Sequence, residues 1–83
     1  MQQNYPNPFN PVTNINFSVP KPGLVKLTVY DVSGREAAVL FNGELSAGTY
    51  NYDFDASQLA SGIYFYKLEA DEFAQTKKMV LVK

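Results

Sequence analysis

The feature that most constrains the fold of this chain is an alternation of apolar and polar residues with a period of two. It is clearest between Thr13 and Val19, and again between Tyr50 and Asp55. Successive side chains of a β-strand point to opposite faces, so this pattern predicts strands with one buried and one solvated face. No segment has the 3.6-residue period of an amphipathic helix, and the sequence therefore predicts an all-β protein.

Short turn-forming segments separate the predicted strands. Pro20–Gly23 and Asp31–Gly34 combine residues that favour reversals: proline fixes φ, aspartate hydrogen-bonds its own backbone, and glycine accepts a positive φ. A tight reversal at Asp71 and Glu72 precedes the last strand. Such turns recur every ~8–12 residues, a spacing typical of sandwiches and barrels.

The middle of the chain is less regular. A third strand is expected over residues 36–41, but its register stays open because Ala38 and Leu40 compete with Val39 and Phe41 for the core. Residues 42–48 are expected to form a loop whose Leu45 turns inward.

Together these segments predict an immunoglobulin-like or fibronectin III-like antiparallel β-sandwich of about seven strands, the seventh near Leu45. Tyr64 follows Leu59 and Gly62 at the start of a strand, an order typical of the tyrosine corner, whose phenol bonds to upstream backbone. The predicted core consists of alternating residues from four strands: Ile15, Phe17, Leu27, Val29, Tyr50, Tyr52, Phe54, Tyr64, Tyr66 and Leu68.

The chain is predicted to divide into an N-terminal arm, residues 1–12, and a sandwich, residues 13–83. Prolines recur through the arm, exclude a helix and hold the residues before them in extended geometry. Tyr5 and Phe9 are the expected anchors of the arm.

Composition excludes several kinds of function. The chain has no histidine and no cysteine, so it lacks the commonest general base, the thiol nucleophile and the usual transition-metal ligands. We therefore expect no enzyme activity, catalytic residue, cofactor or metal site, and we interpret Asp53 and Asp55 as solvated or turn-capping carboxylates. A net charge of -1 argues against nucleic acid as a partner, and no apolar run is long enough for a transmembrane segment.

Two surface features are candidates for binding. Tyr30, Ile63 and Phe65 are predicted to be exposed and would suit a sugar or protein contact. The C-terminal strand is an apolar run bracketed by lysines, which are either gatekeepers against edge aggregation or part of a strand that a partner grips by strand addition. The residues of this candidate recognition site are Lys77, Lys78, Met79, Val80, Leu81, Val82 and Lys83.

Segments along essentially the whole chain match a known pattern in order and spacing: Asn4–Pro11, Thr13, Ile15–Phe17, Val29–Asp31, Gly34–Glu36, Glu44–Gly48, Phe54–Ser57, Leu59, Ser61–Leu68 and Thr76–Leu81. With these segments the chain resembles the type A C-terminal sorting domain of the type IX (Por) secretion system. Ala37 and Phe41 depart from the pattern, which affects only the third strand.

The resemblance implies a C-terminal export signal of a Bacteroidetes-type bacterium. Its cargo passes through the periplasm and ends secreted or on the cell surface. The implied partners are the outer-membrane translocon, which reads the C-terminal strand, and a sortase-like peptidase, which cuts at or before the arm. A monomer is expected. Two alternatives remain open: an accessory carbohydrate- or protein-binding module, and a structural spacer of an extracellular enzyme.

Overall fold

The structure is a computed structural model that describes residues 1, 3–71 and 73–82. These residues form six strands, which are β1 (Val12–Val19), β2 (Gly23–Asp31), β3 (Glu36–Leu45), β4 (Gly48–Asp55), β5 (Gly62–Ala70) and β6 (Phe73–Leu81). Strands β1 and β4 pair in one sheet, and the other sheet has the order β3-β2-β5-β6, with every pair antiparallel. The two sheets make a sandwich, which confirms the predicted all-β, roughly immunoglobulin-like fold.

Strand β1 shows how the period-two pattern produces this arrangement. Ile15, Phe17 and Val19 are buried between the sheets, while the asparagines face outward opposite polar residues of β4. Asn14 Nδ2 donates to Asp53 Oδ1 at 2.9 Å, and Asn16 Nδ2 donates to Asn51 Oδ1 at the same distance. A shift of one residue would exchange the two faces, so burial of the apolar set fixes the register of this pair.

The predicted core is largely confirmed. All its members are buried except two tyrosines of β4, which are half-buried and pack against the others. Tyr50 stacks on Phe17 with a centroid distance of 5.6 Å, so it covers the edge of the core. Further buried apolar residues complete the interior: Phe9, Val19, Val25, Ala56, Met79 and Leu81.

The predicted competition in the third strand is resolved by irregular pairing. The register between β2 and β3 shifts between Leu27 and Thr28 and again between Val29 and Tyr30. Each shift places an extra residue on β3, which changes the face on which the following side chains lie. Ala38, Leu40 and Phe41 consequently all pack against the core, and Val39 is exposed.

The prediction that residues 42–48 form a loop is wrong. Strand β3 continues to Leu45, because Gly23–Lys26 of β2 supplies a full set of partners for Asn42–Leu45. Asparagine and glycine are poor strand formers, but pairing outweighs such preferences. Leu45 packs against the core as predicted, though as the end of β3 and not as part of a seventh strand.

Two predicted turns have the expected chemistry. The Tyr64 hydroxyl donates to the Ala60 carbonyl at 2.7 Å, which confirms the tyrosine corner. Asp31 Oδ1 accepts a bond from the Ser33 amide, and Gly34 has a φ of 87°, a value that residues with a Cβ rarely adopt. Of the predicted reversal before β6, Glu72 lies outside the described residues.

Candidate functional site

The candidate recognition site falls on β6, which pairs with β5 on one side and forms an edge of the four-stranded sheet. Its side chains alternate between two environments. Met79 and Leu81 are 0% and 1% exposed and belong to the core. A partner that meets the folded domain therefore cannot contact these two side chains. Lys83, predicted as the last residue of the site, lies outside the described residues.

The outer face of β6 is accessible. Lys78 is exposed there, Val80 is half-buried, and Val82, one residue beyond the strand, is exposed. In register with them on β5, Phe65 lies opposite Lys78 and Ile63 lies opposite Val80. These five residues form one surface, which we call the C-terminal patch. Lys77 lies opposite Tyr66, on the inner face, so the structure separates it from the patch.

Of the three residues predicted to be exposed for a sugar or protein contact, only one is exposed. Ile63 is 42% exposed, but Tyr30 and Phe65 are half-buried. The reason is cross-strand packing, because Tyr30 pairs with Phe65 on the outer face of the sheet. A flat, open aromatic platform for a sugar ring is therefore not formed by these residues.

The N-terminal arm covers the C-terminal part of the outer edge of β6. The Phe9 amide donates to the Val80 carbonyl, and the Val82 amide donates to the Phe9 carbonyl, both at 2.9 Å. Asn7 Oδ1 accepts from the Val80 amide at 2.9 Å, and Gln3 Nε2 donates to the Lys78 carbonyl at 2.6 Å. These contacts satisfy outward backbone groups of Lys78, Val80 and Val82, which an edge strand otherwise exposes.

Phe9 is the side chain that anchors the arm, as predicted. It is 2% exposed and its ring lies 6.3 Å from that of Phe54. The prediction that Tyr5 also anchors the arm is wrong, because its side chain is 80% exposed. Only its backbone is engaged, through a reciprocal pair of bonds with Asn14 of β1. The arm therefore pairs with β1 at Tyr5 and with β6 at Phe9, and so connects the two sheets along one side of the sandwich.

A buried hydrogen-bond network holds the beginning of the arm. Asn4 is 2% exposed, and its amide donates to the Tyr66 hydroxyl at 2.7 Å. Its side-chain nitrogen donates to Thr13 Oγ1 at 2.9 Å and to the Pro6 carbonyl at 3.1 Å. Burial raises the pKa of Tyr66, and the bond from Asn4 opposes that effect in part. This hydrogen-bond network requires asparagine at position 4, because the side-chain nitrogen of Asn4 donates to Thr13 and to Pro6 at once.

The carboxylates have ordinary structural partners. Asp53 accepts from Asn14, and Asp55 Oδ1 accepts from the amide and hydroxyl of Ser57. Within residues 1, 3–71 and 73–82 there is no group of acidic side chains that could hold a metal ion. The same part of the chain contains no long apolar helix of the kind that crosses a bilayer.

Sequence reasoning identified the C-terminal strand but missed what lies against it. Asn4, Asn7 and Gln3 contact the core or β6, and nothing in their local sequence indicates those partners. Asn7 and Val80, for example, are 73 positions apart. A proline-rich segment predicts an extended conformation, but not the edge to which it binds.

The family model described as "Secretion system C-terminal sorting domain" matches residues 3–83. The match includes both the arm and the C-terminal strand, which the structure places side by side. No curated protein and no solved structure shows significant similarity to the chain.

Proposed function

The chain belongs to the secretion system C-terminal sorting domain family, and from this premise we propose that it directs export of the protein that carries it by type IX secretion. The observation that carries the proposal is the match over residues 3–83, which includes the whole sandwich. A sorting domain marks its carrier as secreted or cell-surface, and its function is to be recognised by the secretion machinery and not to catalyse a reaction.

In this proposal the outer-membrane translocon reads the C-terminal strand, Lys77–Lys83, after the carrier has reached the periplasm. The burial of Met79 and Leu81 favours recognition through the outward side chains of the strand. Lys78 and Val82 are exposed, and together with Ile63 they give the translocon a small surface of one cation and adjacent apolar groups. The buried residues of the strand then serve to hold that surface in one conformation.

We further propose that a sortase-like peptidase cuts the carrier at or before the N-terminal arm, residues 1–12, and so separates it from the sandwich, residues 13–83. The domain is the substrate of that cut and supplies no catalytic group. Several arm residues are exposed, among them Pro6, Pro8 and Asn10, which agrees with access to a peptidase on this side of the domain.

Fusion of residues 1–83 to the C-terminus of a periplasmic reporter tests the proposal in a bacterium with type IX secretion. We expect the reporter to reach the surface or the medium, with a new C-terminus that mass spectrometry locates at or before the arm. The same fusion in a strain without the translocon is the control, and there the reporter stays periplasmic. Retention of the reporter in the competent strain would show that the domain is not a sorting signal.

Deletion of residues 77–83 is a poor test of recognition. It removes Met79 and Leu81 from the core, and each loss of a buried side chain of this size costs about 2–5 kcal/mol. The shortened domain would unfold, so a loss of export could reflect unfolding alone. Substitutions on the exposed face of β6 keep the core intact and separate the two effects.

A further inference from the structure

The outer edge of β6 already holds an extended segment, namely the part of the arm around Phe9. The pairing is parallel, with Phe9 beside Leu81. Phe9 donates to the Val80 carbonyl and accepts from the Val82 amide, which makes one regular unit of a parallel ladder. The arm therefore shows which kind of ligand this edge accepts: an extended chain that runs parallel to β6.

The arm is an incomplete strand on either side of that unit. In a regular parallel ladder, the backbone of residue 7 would bond to the Lys78 carbonyl and the Val80 amide. Here side chains take those places, because Gln3 Nε2 reaches Lys78 and Asn7 Oδ1 reaches Val80. In the other direction the next donor would be Pro11, which has no N–H.

The side chain of Phe9 adds a specific anchor to this edge. It is buried in the core cluster, against Phe54 and close to the last residues of β6. An incoming segment that displaced it without refilling the space would leave a cavity in the sandwich. The edge thus selects for an aromatic or large apolar side chain beside Leu81.

We propose that the outer edge of β6, with the pocket of Phe9, is a strand-addition site that the arm occupies in the free domain and that an extended segment of the secretion machinery takes over. The incoming segment runs parallel to β6, places an aromatic side chain in the Phe9 pocket, and donates from its backbone where the arm has Pro11. This inference rests on the proposed function, since it names the kind of contact that the machinery makes with β6.

The anchoring of the arm permits such an exchange. Asn4 and Tyr5 bond to Thr13 and Asn14 of β1, and the Asn4 amide also bonds to Tyr66 of β5. Release of residues 7–10 alone would free the Val80 and Val82 backbone groups and leave these contacts in place, with the Gln3 side chain still on the Lys78 carbonyl. In the free domain the arm also keeps an apolar edge strand from pairing with other chains, which is the hazard of an uncovered edge.

Fluorescence anisotropy with a synthetic peptide of residues 3–12 tests the site on the complete 83-residue chain. Phe9→Ala weakens the chain's own arm, so we expect the peptide to bind this variant about tenfold or more tightly than the wild-type chain. A peptide with Pro11→Val should bind more tightly still, because it supplies the missing donor. A peptide with Phe9→Ala should not bind.

Tyr5→Ala in the chain is the matched control. It removes an aromatic ring from the same arm, but that ring is exposed and makes no part of the Phe9 pocket. The peptide should bind this variant as weakly as it binds the wild-type chain. Asn7→Ala is the second variant and carries the test if Phe9→Ala does not fold, because the Asn7 side chain is exposed and holds only the Val80 amide in this edge.

The proposal is overturned if folded variants with a loosened arm do not bind the peptide, or if the Pro11→Val peptide binds more weakly than the natural one. A dimer of the wild-type chain that forms with rising concentration and disappears in Phe9→Ala would instead assign the edge to the arm of a second copy, and would also overturn it. Export of the reporter fusion is measured separately. Export without peptide binding refutes only this inference, whereas peptide binding without export refutes the sorting function and, with it, the secretion machinery as the occupant of the edge.

Discussion

The Asn4 amide donates a hydrogen bond of 2.7 Å to the hydroxyl of Tyr66, a residue of β5 that is fully buried. The bond joins the start of the N-terminal arm to the middle of the four-stranded sheet. Because Tyr66 also pairs with Lys77 of β6, the same residue lies between the arm and the C-terminal strand. Tyr66 thus contacts the arm through its hydroxyl and the C-terminal strand through strand pairing.

Tyr66→Phe removes that hydroxyl and leaves the Asn4 amide without its acceptor. A buried donor left unpaired costs about 1–3 kcal/mol, so we expect the free energy of unfolding to fall by about that amount. Urea denaturation followed by circular dichroism measures it. Tyr5→Phe removes a hydroxyl from a ring that is 80% exposed and should leave the stability unchanged. An equal effect of the two changes would contradict the role of the Asn4 contact.

The buried threonines Thr13 and Thr28 should respond to the same substitution with opposite signs. Thr13 Oγ1 donates to the Pro6 carbonyl and accepts from Asn4 Nδ2, both at 2.9 Å. Within the part of the chain that the structure describes, Thr28 Oγ1 is buried without a partner. We expect Thr13→Val to lower the free energy of unfolding by about 2 kcal/mol and Thr28→Val to raise it by about 1 kcal/mol.

Thermal and urea unfolding of the two variants measure this difference. Valine has the same shape as threonine, so packing is matched in both variants and the hydroxyl is the only group that differs. Destabilisation by Thr28→Val would mean that its hydroxyl has a partner in solution, such as a bound water.

The carboxyl of Asp31 makes the stability depend on acid pH. The hydrogen bond from the Ser33 hydroxyl, with those from the Ser33 and Arg35 amides, holds the pKa of Asp31 below its ordinary value of 3.8. A carboxyl whose folded pKa is lowered stabilises the fold above the ordinary value. That contribution is lost as the pH falls through the lowered pKa.

Asp31→Asn keeps an acceptor oxygen but removes the charge. We therefore expect the wild-type chain to exceed the variant in stability at about pH 7 and to lose that advantage at about pH 2. Urea midpoints at the two pH values measure the change, and carboxyl NMR gives the pKa directly. An advantage of the same size at both pH values would contradict the assignment.

The parts of the fold that the sequence predicts are those determined by neighbouring residues. The tyrosine corner joins residues four positions apart, and the turn at Asp31 joins residues two apart, so their residue types indicate the contact. The register of β3 could not be predicted, because its shifts arise from pairing with β2. Whether Tyr5 or Phe9 anchors the arm depends on where the arm meets the core.

The candidate site, too, could be predicted only where neighbouring residues determine it. The apolar run bracketed by lysines marks β6 as unusual, but its sequence does not tell which of its faces a partner can contact. That is decided by the pairing with β5 and by the arm, whose contacts to Val80 and Val82 come from the other end of the chain. Only the structure places Met79 inside and Lys78 outside.

Because we propose that the machinery reads the outer face of β6, we expect a substitution on that surface to lower export without lowering the stability of the domain. Val82 is 49% exposed and belongs to the C-terminal patch, so Val82→Glu puts a charge where an apolar contact is expected. Leu24→Glu is the matched control, because Leu24 is 60% exposed and lies on β2 of the same sheet.

Desolvation of one unpaired charge at an interface weakens binding by about 2 kcal/mol or more, which is more than tenfold in affinity. We therefore expect Val82→Glu to lower surface or medium levels of the reporter about tenfold, with Leu24→Glu near the wild-type level. Urea denaturation of both variants establishes that each domain is folded. Export that is unchanged in a folded Val82→Glu domain would rule out the outer face of β6 as the surface that the machinery reads.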